Sequence, residues 1–250
     1  MHRFPSFGAL LVLLSVTGCA QAVDESTGDT SAALSDAARI DALKCRIRSI
    51  ATANTTRSDN VADVEAELSP LVAELAALEP ARTETETVDK LEGVWRSLWN
   101  NLRFDPPNVD VDETRTYQVV TKDGYYYNLS NSTSFGFLKT VGVLRGAYAS
   151  DGNGGFDIEF TANGFRLGEL RGDLFALAQG IEARTVPVLY LPGRVPNGPV
   201  GVRASLTTIY VDDDLRIAGG WQVAIGAPSG GPPARANFLA VFDRQTSPLP

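Results

Sequence analysis

Three consecutive carboxylates, Asp212-Asp213-Asp214, stand between Tyr210 and Arg216. Clustered carboxylates perturb one another, so this run could coordinate a cation or divide into an acid and a base. The competing reading is a solvated turn in which one member pairs Arg216. No histidine and no second acidic motif supports chemistry here, and the turn is the better account. A second run, Asp151-Gly-Asn153-Gly-Gly155-Phe-Asp157, spaces oxygen donors at alternate positions as a calcium loop does. It lacks the distant bidentate glutamate, and Asn-Gly between strands signals a hairpin. Neither run makes a catalytic or metal site, and no cofactor is implied.

The remaining inventory narrows the chemistry further. His2 is the only histidine and Met1 the only methionine, and both fall in a segment that reads as an export signal over residues 1–18. A basic head, His2 and Arg3, precedes an apolar run from Gly8 to Thr17 that is too short to span a bilayer. Val16-Thr17-Gly18-Cys19 resembles the lipobox of bacterial lipoproteins, which implies cleavage before Cys19 and lipidation of that residue; an ordinary secretory signal is the alternative. Each buried methylene of an acyl chain adds about 0.8 kcal/mol of membrane affinity. The expectation is an exported, membrane-anchored lipoprotein facing the periplasm or cell surface. Without the leader there is no histidine, so Ser-His and Cys-His pairs and ordinary zinc or haem sites are unavailable. With 22 Lys and Arg against 30 Asp and Glu, the acidic balance disfavours nucleic acid as a partner.

Several elements must carry whatever function remains. Residues 19–34 are small and polar, the composition of a flexible tether. Over 35–80, Ile40, Leu43, Ile47 and Ile50, then Val61, Val64, Leu68, Leu71 and Leu75, recur at helical spacing and predict a helical hairpin. Ser35 or Asp36 caps the first helix, Asn60 with Asp63 caps the second, and Pro70 should kink or restart it. Cys45 beside the first stripe reads as a buried or half-buried small residue. Thr83 to Thr87 reads as a charged connector. From 88 to 245 the pattern changes to short strands separated by Gly, Asn, Asp and Pro. Leu174 to Leu177 and Val186 to Tyr190 suggest a rim or an edge. Thr207 to Ile217 reads as one strand interrupted by the aspartates, with Leu91 to Trp99 as its best partner. About eight antiparallel strands predict a mainly β fold, an up-and-down barrel without exposed edges.

Certain stretches carry a likeness to a known family. Leu75-Ala-Ala-Leu-Glu-Pro80, Leu91-Glu-Gly-Val-Trp-Arg96, Tyr210-Val-Asp-Asp-Asp-Leu-Arg-Ile217 and Phe238-Leu-Ala-Val-Phe242 resemble the plastid lipid-associated protein (fibrillin) family. The resemblance implies a lipocalin-like barrel that associates with lipid and binds or transports a small hydrophobic molecule, and it supplies no catalytic residues. The sequence departs from the family where Ala218-Gly219-Gly220-Trp221 comes after Arg216-Ile217, and a lipoprotein signal stands in place of a plastid transit segment. The plastid setting is therefore not carried over.

Two sets of residues can be assigned on this basis. For barrel closure, Gly93 opens the first strand, and an arginine from near the end of the chain covers Trp95; Arg216, beside Asp214, is the choice and Arg244 the reserve. For ligand contact, alternation selects Trp95, Trp99, Tyr117, Phe156, Ile158, Phe160 and Tyr210 as inward. A hollow barrel lined by these would hold a lipid, isoprenoid or pigment. A filled barrel would suit a structural protein on a lipid surface or protein partner. A carboxylate-based hydrolase or isomerase would need two acidic groups converging inside.

Overall fold

The computed structural model describes residues 35–56, 60–80, 82–102, 109–152, 155–191, 199–223 and 235–250. The leader and the whole tether, Cys19 included, lie outside the described residues. Helix α1 (Asp36–Ala53) starts at Ser35, whose hydroxyl accepts the Ala38 N–H at 3.4 Å. Cys45 is half-buried on it. Helix α2 (Val61–Ala77) makes no side-chain cap bond at Asn60 and runs through Pro70 without a break, correcting both expectations. Leu68, Leu71 and Val72 on either side of the proline are buried, and the Ser69 hydroxyl donates to the Glu65 carbonyl at 2.6 Å. Packing there outweighs the one backbone bond that proline forfeits. The expected connector is instead a third helix, α3 (Glu84–Leu91). It opens with a capping box: Thr83 Oγ1 accepts the Glu86 N–H, and the Glu86 carboxylate accepts the Thr83 N–H at 2.8 Å.

The strands are β1 (Gly93–Asn100), β2 (Val109–Val120), β3 (Tyr125–Ser134), β4 (Leu138–Ser150), β5 (Gly155–Leu167), β6 (Leu189–Tyr190), β7 (Arg203–Val211), β8 (Leu215–Val223) and β9 (Arg235–Arg244). Each pairs antiparallel with its neighbour in the chain, except that β7 succeeds β5 and the two-residue β6 only extends that edge of β5. β9 then pairs with β1, so eight strands close into the expected up-and-down barrel. The aspartate run is the turn of the β7–β8 hairpin, where Val211 faces Arg216. The interrupted strand is thus two strands that partner each other, and β9 stands between them and β1. The segment from Leu174 is not a rim strand but helix α4 (Leu174–Glu182), capped by Asp173.

Three apolar clusters result from this arrangement. Inside the barrel, Trp95, Val120, Tyr126, Phe156, Ile158, Phe160 and Phe242 pack together with Leu91 of α3. On one outer face, Leu43, Ile47, Leu68 and Leu75 of α1 and α2 cover Leu98, Trp99, Tyr210, Ile217 and Val241. On another, Leu174, Ala178 and Ile181 of α4 cover Tyr117, Val119, Tyr127 and Leu129. Strands covered on both sides are apolar on both sides, which hides the inward phase from sequence.

Candidate functional site

One end of the barrel is sealed. The Trp95 indole N–H donates to the Leu91 carbonyl at 2.8 Å, bringing the end of α3 across the opening. The Arg244 guanidinium lies 4.1 Å from the centre of the Trp95 ring and donates to the Glu92 carbonyl at 2.8 Å and to the Lys90 carbonyl. Arg244, not Arg216, covers the tryptophan. Gly93 is required at this corner because its φ is +135° and a Cβ would meet Arg244 Nη1 at 2.7 Å.

The aspartate hairpin holds this end from outside. Lys44 of α1 reaches Asp212 at 2.5 Å and Asp214 at 2.6 Å, Arg48 reaches Asp214 at 3.1 Å and Asp243 at 2.7 Å, and Lys90 of α3 reaches Asp213 at 2.5 Å. Asp212 also accepts the Tyr210 hydroxyl at 2.7 Å and the Leu215 N–H at 2.8 Å. Burial alone would raise its pKa, but these bonds, led by those from Asp214 and Lys44, hold the Asp212 carboxyl well below its ordinary range. None of the three aspartates pairs Arg216; they clasp helices to the barrel. At the second run, Asp151 Oδ1 accepts the Gly155 N–H at 3.0 Å across the β4–β5 turn, and Asn153 lies outside the described residues.

Toward the other end the interior opens into a cavity of about 390 Å³. Ile158, Phe160, Leu206, Ala218, Phe238 and Phe242 give it an apolar wall, while Gln118, Asn128, Ser130 and Ser132 put polar groups on the facing side. Glu113 is the one carboxylate in that wall among the described residues. Around this end Phe135 and Phe137 in the β3–β4 turn are 70% and 78% exposed, with Leu167 nearby on β5 also exposed. At its inner limit a small void of about 20 Å³ lies against Arg216, walled by Gln118, Tyr126, Ile158 and Leu206, which also line the large cavity.

The seven residues selected as inward separate. Ile158 and Phe160 line the cavity, Phe156 lines the small void, and Trp95 is the floor. Trp99 and Tyr117 contribute to the wall but pack in the outer clusters, and Tyr210 packs only under α1 and α2. The physical reason for Trp99 and Tyr210 is a register shift, between Ser97 and Trp99 in β1 and between Thr208 and Tyr210 in β7, each of which turns the next side chain outward. Tyr117 alternates regularly, but its face is the one that α4 covers. Sequence selection missed the polar wall, although Asn128, Ser130, Ser132 and Ser134 recur at strand spacing and mark it.

Comparison agrees with this architecture: the PAP_fibrillin family model matches residues 46–224. The chain belongs to the PAP_fibrillin family. The matched span takes in the Gly93–Trp95 corner, the aspartate hairpin and Arg216, and it stops before β9 with Arg244. No curated protein and no solved structure matches the chain. The fibrillin family is lipid-associated.

Proposed function

We propose that this fibrillin-family barrel binds, stores or carries a small hydrophobic molecule such as a lipid, isoprenoid or pigment, without catalysis. The observation that supports the reading is the cavity of about 390 Å³ with apolar walls above a sealed floor, a size and character suited to one small ligand. Lipidation at Cys19 would keep the barrel at an exported membrane surface, where such a ligand is loaded or released. A second reading, a structural protein lying on a lipid surface, draws support from the exposed Phe135 and Phe137.

Native mass spectrometry of the purified chain separates the two. On the binding reading an apolar molecule co-purifies, or a supplied one is taken up at one per chain, and Ala240→Phe, which fills the cavity from β9, removes it. A barrel that is empty as purified and takes up no supplied lipid hands the case to the second reading.

A further inference from the structure

Against the small void at the inner limit of the cavity lies a cation without a counter-charge among the described residues. Arg216 is 1% exposed. Its Nη1 donates to Gln118 Oε1, and its guanidinium lies 5.3 Å from the centre of the Phe242 ring. Its Nε has no hydrogen-bond partner, and among the described residues no carboxylate forms an ion pair with it. Burial, with Arg244 nearby adding to it against the pull of Tyr126 and Tyr148, pushes Arg216 down to about 10, so it is still cationic at neutral pH. A buried, unpaired charge is strongly unfavourable unless something answers it. Nothing about sealing the barrel calls for a second arginine, since Arg244 already covers Trp95.

The surroundings suit a particular visitor. Gln118 is itself fixed, its Nε2 donating to Asn128 Oδ1 at 3.0 Å, so the Arg216 Nη1 bond is held in place and the Nε edge is left for another group. The Tyr126 ring lines both the small void and the large cavity, and its hydroxyl makes no hydrogen bond among the described residues. Immediately beyond lies the apolar wall of the large cavity of about 390 Å³. A planar anion meets a guanidinium with two parallel bonds, and such bonds are about twice as strong as neutral ones.

Resting on the binding reading above, we propose that the ligand is an apolar chain ending in a carboxylate, with the head on Arg216 and the tail in the large cavity. An acid of this class would supply the missing counter-charge and the missing acceptor together. Neutral isoprenoids and alcohols would leave both unmet.

Calorimetric titration of the delipidated full chain with laurate, dodecanol and methyl laurate tests this. Laurate is expected to bind about 10- to 100-fold more tightly than either neutral analogue, the range expected for a hydrogen bond to a charged group. In Arg216→Met that preference falls to within about 3-fold while dodecanol binding is retained. Equal binding of the three by the unmodified chain overturns the acidic head and leaves the apolar cavity standing as a binding site. Binding of none overturns the cavity reading itself. Should Arg216→Met fail to fold by circular dichroism, the comparison of laurate with methyl laurate on the unmodified chain decides alone.

Discussion

Arg244 and Arg216 come from adjacent strands and both end at the closed end of the barrel, yet their surroundings differ in kind. Arg244 covers an indole face and donates to two backbone carbonyls that would otherwise be left at the end of α3. Arg216, one layer further in, has a single side-chain acceptor and an aromatic ring and borders the small void; an Nε without a partner is common to both arginines. The first arginine completes the fold. The second costs the fold desolvation that one amide acceptor and one aromatic ring offset only in part, with no carboxylate paired to it among the described residues. A residue that is buried, charged and uncompensated is expected where function has overridden stability. On the proposal of an acidic ligand, the same residue type serves structure in one place and binding in the other, and the partners tell them apart.

The most direct test of this contrast is to make the same change at both positions and measure unfolding in denaturant. Arg244→Met strips the Lys90 and Glu92 carbonyls of their donor and removes the stacked charge from Trp95, and a loss of about 3 kcal/mol is expected. Arg216→Met removes an unpaired buried charge and keeps an apolar stem of similar length. The expected result is a chain between unchanged and about 2 kcal/mol more stable. Equal losses at the two sites would show that Arg216 is as structural as Arg244.

A smaller effect separates the floor from the clasp outside it. The floor is held by carbonyls, which do not titrate. The clasp is held by carboxylates, and the Asp212 carboxyl lies below its ordinary value of 3.8. A carboxylate depressed in the folded state contributes stability that is present above its unfolded value and lost as pH falls through the folded one. Hydrogen-exchange protection in α1, held through Lys44, should therefore weaken below about pH 4 before that of β1 and β9 does. Simultaneous loss in the helix and in these strands would mean that clasp and floor are one cooperative unit.

How much of the molecule is legible in its sequence depends on which physical signal each feature leaves. The barrel class is visible in strand spacing and turn residues, and the Gly93–Trp95 corner in the pairing of a glycine with a large aromatic two positions on. The choice of arginine is not, because Arg216 and Arg244 both point inward and only their depth along the barrel axis differs. Trp99 and Tyr210 are misplaced by one-residue bulges, which have no sequence signature yet reverse every later side chain. Helix α3 is readable after all: Thr83-x-x-Glu86 is a capping box, obscured because the helix it opens is short and charged. Helix α4 leaves only a brief apolar run after Asp173, and such runs fit strand and helix alike. The polar cavity wall escapes a sequence reading because apolar alternation points to the faces covered by helices.

The pairing of β1 with β9 joins Trp95 to Arg244 across 149 positions of chain. Until β9 is in place, β1 and β8 are both open edges able to recruit strands from other molecules. Assembly is consequently governed by a contact of very long sequence separation, which makes it slow and leaves the half-made sheet vulnerable to aggregation. A copy shortened by its last dozen residues would lose far more than a tail: it would be an unclosed ribbon.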